Sequence, residues 1–183
     1  MEFIKRNPKI YIITGKAENG KNEIAKIIEK FYETKNKKAI TIAYASYLKQ
    51  YAKTITKWNG NEQTKPREFL QQIGIELIKN KIKKNLLIER IIDDIKVYSY
   101  FFDIIIISDA RLVEEIEEIK KINNNVSVIN VYGKENKLTE KQKRHLTETG
   151  LDNYNNYDYK IKNDGNIELL KQTIYDILEV TKW

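Results

Sequence analysis

The chain has no cysteine, a single histidine, two prolines and seven glycines among 183 residues. Without thiols there are no disulfides and no thiolate metal sites, and His145 alone cannot build a histidine-rich centre, so any metal must sit on oxygen ligands. Long apolar runs are also missing. The longest cluster, 98–108, is broken by Asp103 and falls well short of the roughly 20 residues that a membrane helix requires. The opening Met-Glu-Phe-Ile-Lys-Arg lacks the apolar stretch and small-residue cleavage site of a secretion signal, which makes the cytoplasm the expected location.

What is present is a globular composition: 41% apolar, 10% aromatic and 32% charged residues, enough for one compact domain over 1–183. The net charge of +7 suits a polyanionic partner, whether nucleic acid, an anionic membrane surface or a phosphorylated small molecule, and the sign alone does not choose. Lysine outnumbers arginine 28 to 5 in a chain also crowded with Ile, Asn and Tyr, the profile of a compositional bias toward AT-rich codons. The five arginines, Arg6, Arg67, Arg90, Arg111 and Arg144, are therefore the informative cations, because lysine does not replace a planar fork where an anion must be held in one orientation.

Hydrophobic periodicity predicts strands over Lys9–Thr14, Ala39–Ala43, Phe101–Ser108, Val126–Tyr132 and, more briefly, Lys160–Ile161. Helical spacing predicts helices from Lys21 to about Thr34, over Tyr47–Trp58, from Pro66 to about Asn80, and over Asn85–Lys96, Val113–Ile122 and Ile167–Val180. Four consecutive isoleucines, 104–107, are the pattern of a central strand covered on both faces. Strands alternating with helices imply an α/β fold with a parallel sheet and crossover helices. The stretch 133–150 is strongly charged and is expected to be exposed or mobile.

Gly15-Lys16-Ala17-Glu18-Asn19-Gly20-Lys21 fits G-x-x-x-x-G-K and sits between a buried strand and the first turn of a helix, where a phosphate-binding loop belongs. Glycines permit the tight path, backbone amides and the helix N-terminus converge on phosphate oxygens, and Lys21 supplies a cation. From the chain's own frequencies, chance would supply about 0.04 such matches. Asn22 stands where Ser or Thr commonly places a hydroxyl on magnesium; its amide oxygen suits a hard cation but is neutral and on a longer arm.

At this point the sequence resembles the P-loop kinases of nucleoside monophosphates, most closely the deoxynucleoside monophosphate kinases and the animal-type phosphomevalonate kinases, in which Asp often follows the loop lysine. Ala45-Ser46-Tyr47-Leu48-Lys49 resembles the family's Ala-x-x-Leu-Lys element, and Lys65-Pro66-Arg67-Glu68-Phe69-Leu70-Gln71-Gln72-Ile73-Gly74 its Lys-Pro-Arg-x-x-Leu-Gln-x-x-Gly helix. Arg67, Gln71 and Gly74 fall at i, i+4 and i+7, one face offering a guanidinium, an amide and a gap; a solvated face with a chance glycine is the plainer alternative. Ile75 and Lys79 depart from the Thr and Arg usual there. Asp109-Ala110-Arg111 with Glu115 resembles the Asp-x-Arg element, the alternative being an Asp that caps the following helix and an Arg in a salt bridge. Arg144-His145-Leu146-Thr147-Glu148 resembles the lid's His-x-Ser-Glu, and Asn163-Asp164-Gly165 the Asn-x-Gly turn near the donor base.

The resemblance implies a three-layer P-loop fold with an acceptor-binding helical insertion at about 44–95 and a mobile lid at about 133–150. It implies ATP and Mg2+ as cofactors and phosphoryl transfer to a nucleoside 5′-monophosphate. The donor would lie on Gly15, Lys16, Ala17, Glu18, Asn19, Gly20, Lys21, Asn22, Glu23, Asn163 and Gly165, and the acceptor on Lys49, Arg67, Gln71, Gly74, Arg111 and Glu148. Lys21, Asp109 and Arg144 would act in catalysis, with Asn22 and Asp109 on the metal. His145 reads as a hydrogen-bonding residue rather than a general base. The expected partners are small nucleotides, not membrane or nucleic acid, and the sequence leaves monomer and homodimer both open. Two other readings compete: a kinase of phosphomevalonate or dephospho-coenzyme A on the same fold, and a nucleotide-binding regulatory or nucleic-acid-binding protein that has lost turnover with Asn22.

Overall fold

In a computed structural model, the described residues are 2–133 and 137–180. Five strands, β1 (Lys9–Thr14), β2 (Ala39–Ile42), β3 (Ile104–Ala110), β4 (Val126–Tyr132) and β5 (Tyr159–Lys162), form one sheet in the order β2-β3-β1-β4-β5. Every pairing is parallel. Helices α1 (Lys21–Thr34) and α8 (Ile167–Val180) cover one face, burying Ile24, Ile28, Leu170 and Ile174 against Tyr11, Ile13 and Ile106. On the other face, α4 (Leu86–Tyr98) and α5 (Val113–Ile122) bury Ile91, Ile95, Ile116 and Ile119 against Ile10, Ile12, Ile105 and Ile107. The alternate isoleucines of β3 thus face opposite layers, as a doubly covered strand requires. This is a three-layer α/β arrangement around a parallel sheet.

Where elements are bounded by local signals, the expected limits hold: β1, α1, α5, β4 and α8 fall where the periodicity placed them. Elsewhere they shift. Helix α2 spans Tyr44–Thr56 and starts three residues earlier than predicted, because the Asp109 carboxylate accepts the N–H groups of Tyr44 (2.8 Å) and Ala45 (2.9 Å), doing from β3 what Ala43 at the N-cap cannot. Strand β3 starts at Ile104 rather than Phe101, since Asp103 turns out of the sheet to accept from Arg6 and from the Lys38 N–H. After Pro66 comes a short α3 (Arg67–Gln71) that continues as a π-helix over Gln72–Ile82. Its wider turn puts Ile73 and Ile78, five apart, in the core and leaves Leu77 43% exposed, where a 3.6-residue period would have buried it.

Parallel pairing brings the carboxyl ends of β1 and β3 side by side, with Thr14 opposite Ala110. The glycine loop after β1 and the Asp-x-Arg element after β3 therefore meet at one rim, the place where open α/β sheets bind ligands.

Candidate active site

The loop between β1 and α1 owes its path to three positive-φ residues, Gly15 (φ 138°), Glu18 (φ 66°) and Gly20 (φ 88°). A Cβ at Gly15 would lie 2.3 Å from the Val131 carbonyl oxygen, so a side chain there is excluded by β4 as well as by φ. Lys21 curls back over the loop and donates to the carbonyls of Gly15 (2.8 Å) and Lys16 (2.7 Å). Its ammonium is buried, which is the main reason its pKa drops to about 7; the positive charge of Arg111 adds to the fall and Glu148 opposes it.

A cavity of about 890 Å³ opens from this loop. Ala17, Glu18, Gly20, Lys21, Asn22 and Glu23 line one end, and Lys49, Arg67, Gln71, Gly74, Asp109, Arg111 and Glu148 line the rest. Gly165 also reaches it, together with Lys65, Lys79 and Glu114. Lys21, Arg67 and Arg111, from three separate segments, thus face one space. Arg67 pairs with Glu18 (3.1 Å), tying the acceptor-side helix to the loop. Arg111 donates to the Glu148 carboxylate (2.7 Å) and to the Thr147 carbonyl (3.3 Å). The other oxygen of Glu148 accepts the N–H of Ala17 (2.9 Å), so a buried carboxylate holds a loop amide of the kind that binds phosphate oxygen.

Helices α6 (Glu140–Lys143) and α7 (Leu146–Thr149) lie in the stretch expected to be a lid; residues 134–136 of that stretch are outside those described. Parts of this charged stretch are packed: Leu138 and Glu148 are buried and Thr147 accepts from Gln71 (3.2 Å). His145 caps α7, its Nδ1 accepting from the Thr147 N–H, which fits a hydrogen-bonding role.

Several of the expected site residues lie away from the main cavity. Arg144 is exposed and lines neither this cavity nor the one behind the loop; Lys141 pairs with Glu68 and Lys143 with Glu140. Among the described residues, the cations that line the cavity are instead Lys21, Lys49, Lys65, Arg67, Lys79, Lys84 and Arg111. Asn163 braces the loop from below, donating to the Asn19 carbonyl (3.0 Å), and does not line the main cavity. Lys16 points out to Asp152, and Gly15, Lys16 and Asn19 face a smaller cavity of about 480 Å³ behind the loop. Gly74 leaves no open gap: a Cβ there would meet Leu48 Cδ1 at 3.0 Å, so the glycine admits α2 rather than a base directly. Asp109 does cap a helix, but α2 and not the following α5, whose first turn is capped by Glu115.

Lys65, to which the sequence pattern assigns no role although it stands two residues before Arg67, lines the same cavity. It is half-buried, and burial lowers its pKa against the pull of Glu62.

Glu115 gives a pH signature. Burial pushes its carboxyl up to about 7 despite N–H bonds from Arg111 (2.6 Å) and Leu112 (3.1 Å), with the charge of Asp109 adding to the rise. The folded state then keeps a proton that the unfolded chain releases near pH 4.5, so this group's contribution to stability is lost as pH climbs from about 4.5 to 7. Compared with Glu115→Gln, the wild-type unfolding free energy should fall by roughly 1 to 3 kcal/mol between pH 5 and 7. Parallel urea titrations of the two proteins check this; a pH-independent difference refutes it.

A family profile described as deoxynucleotide monophosphate kinase matches residues 16–174. The chain belongs to that family. It is accordingly a P-loop phosphotransferase. Among solved structures, the Mycobacterium tuberculosis APS kinase in complex with AMPPNP and APS superposes with a TM-score of 0.56 at 11% identity, covering 95% of this chain and 99% of that one. Dephospho-CoA kinase from Campylobacter jejuni gives 0.52 at 13% identity, over 96% and 98%. These likenesses establish the fold shared with P-loop kinases. No curated protein matches the sequence. Among the described residues, no helix is long and apolar enough to cross a membrane.

Proposed function

We propose that the protein transfers the terminal phosphoryl group of ATP to a deoxynucleoside 5′-monophosphate, giving ADP and the diphosphate. The observation that carries this reading is the single cavity into which Lys21 at one end and Arg67 and Arg111 further along all turn. A triphosphate cradled at the Gly15 loop would then face a second anion held by two guanidinium groups, the geometry an in-line transfer needs.

The donor phosphates would take the loop amides, displacing Glu148 from the Ala17 N–H. Freed of that bond, Glu148 remains beside Arg111 and can orient it toward the acceptor phosphate. Lys49, which pairs with Glu62 at 3.3 Å, and Lys65 extend the positive wall on the acceptor side. The insertion at 44–95 serves as the acceptor-binding region and 133–150 as the lid, with the whole chain acting as one kinase domain. Because Arg144 does not line the cavity, charge on the moving group is met by Lys21 and Arg111.

The donor set suits magnesium: Asn22 and Asp109 both line the cavity and offer an amide oxygen and a carboxylate, hard ligands of the kind that cation takes alongside water and phosphate. Bound there, it would neutralise donor phosphate charge. Asp109 retains acceptor capacity for this, since each oxygen accepts only one N–H from α2.

The test is ADP release with ATP and a panel of acceptors: deoxynucleoside and ribonucleoside monophosphates, phosphomevalonate and dephospho-coenzyme A. Turnover is expected with deoxynucleotides. Equal inactivity on every nucleotide, or turnover confined to a non-nucleotide acceptor, would sink the proposal.

A further inference from the structure

Glu18 stands in the middle of the loop that would receive the donor phosphates, and it is the only carboxylate between Gly15 and Lys21. A negative charge there opposes an incoming triphosphate. Its backbone also holds φ 66°, a left-handed conformation that a residue with a side chain rarely adopts. Both carboxylate oxygens are engaged: Oε1 accepts from Arg67 Nη2 (3.1 Å) and Oε2 from the Lys137 N–H (3.1 Å). Among the described residues, Glu18 is the one hydrogen-bond partner of the Arg67 guanidinium. One side chain thus joins the donor loop, α3 on the acceptor side and the start of the stretch that carries α6 and α7. Those last two meet again where Lys141 pairs with Glu68 and Gln71 donates to Thr147 (3.2 Å). The side chains of Glu18 and Arg67 are 34% and 36% exposed and both line the main cavity, so anions arriving at either end can reach the pair.

Resting on the reading above, in which Arg67 holds the acceptor phosphate, we propose that Glu18 is a positioning residue that makes the two substrates bind cooperatively. In the free protein it keeps Arg67 and the Lys137 segment on the donor loop, and either substrate displaces it. A triphosphate on the loop amides repels the carboxylate beside them, and an acceptor phosphate competes with that carboxylate for the same guanidinium. Both substrates therefore break one shared contact. Whichever binds first bears its whole loss, and the second finds Arg67 already released, so each raises the affinity of the other by the same factor. The contact is a single hydrogen-bonded ion pair about a third exposed, so the factor is modest, roughly three- to tenfold. ATP alone then binds less tightly than ATP together with its acceptor, which limits loss of the phosphoryl group to water.

The experiment is calorimetric titration with AMPPNP and Mg2+, with and without each deoxynucleoside monophosphate at saturation, in the wild-type protein, Glu18→Gln and Glu18→Gly. Glycine accepts φ 66° without strain, so the second variant removes the carboxylate while easing the loop. In the wild type, AMPPNP should bind roughly three- to tenfold more tightly when the acceptor is present, and the reverse titration should return the same factor. In both variants AMPPNP alone should bind roughly three- to tenfold more tightly than it does to the wild type, and the acceptor should then change its affinity by less than about twofold. Unchanged or weaker binding of AMPPNP alone in both variants overturns the inference, because a brace that only shapes the loop weakens binding when it is removed. Coupling that persists in the variants, or is absent from the wild type, overturns it equally. Such a failure with turnover intact leaves the kinase reading standing, whereas deoxynucleotides that neither bind nor turn over remove both.

Discussion

Lys21→Ala should lower ADP formation at least 10³-fold while leaving the fold intact. The side chain contributes in two ways that alanine removes: it pins the loop through the Gly15 and Lys16 carbonyls, and it supplies the cation nearest the donor phosphates. Because the fold strips water from this ammonium and sets it near Arg111, its pKa of about 7 means that much of the population is neutral in the free protein at physiological pH. A bound triphosphate would restore the charge. Nucleotide binding at pH 8 should therefore take up close to one proton, visible as a binding enthalpy that depends on the ionisation heat of the buffer and absent in Lys21→Met. The thermal midpoint of the alanine variant should not fall, since a buried, partly discharged lysine is replaced by a residue that needs no solvation. Retained turnover in Lys21→Ala, or buffer-independent enthalpies in the wild type, would refute this account of the loop.

Arg111→Ala should cost about 10² to 10⁴ in kcat/KM for the acceptor, and Arg111→Lys should recover only a small part of that. Thr147 and Glu148 are both reached from one nitrogen, Nη1, so the rest of the planar fork keeps donors for an acceptor phosphate in one orientation, which a lysine ammonium on a flexible stem does not reproduce. Removing the guanidinium also strands the Glu148 carboxylate, buried and held by the Ala17 amide, against the loop where donor phosphates would bind. Adding Glu148→Gln to Arg111→Ala should therefore restore ATP affinity more than it restores kcat, which steady-state kinetics with ATP and acceptor varied independently would show. An Arg111→Lys protein within threefold of wild type would mean that no oriented anion is held there.

The stretch from Arg67 to Ile82 was readable as a helix from apolar spacing, and Arg67, Gln71 and Gly74 do all border the cavity. Its π-helical portion was not readable, because spacings of 3, 4 and 5 coexist in the sequence and only packing against α2 and α4 chooses which residues are buried. At α2 the sequence around Ala43 contains no capping side chain, and the true cap lies 65 residues away in Asp109. Arg144 matches a motif by position, whereas its exposed placement off the cavity follows from the tertiary arrangement of α6 and α7.

The order of strands and helices, the phosphate-type loop and the short list of meaningful arginines were determined by the sequence itself, since local periodicity, two glycines and a compositional bias suffice to mark them. Tertiary structure alone decided that Glu148 sits on the Ala17 amide, that Asp109 serves α2, and that Lys79 meets Glu114 at the cavity wall. Each of these joins groups between 35 and 131 residues apart, and such contacts follow from the register of a parallel sheet, with Thr14 beside Ala110, rather than from any pattern along the chain.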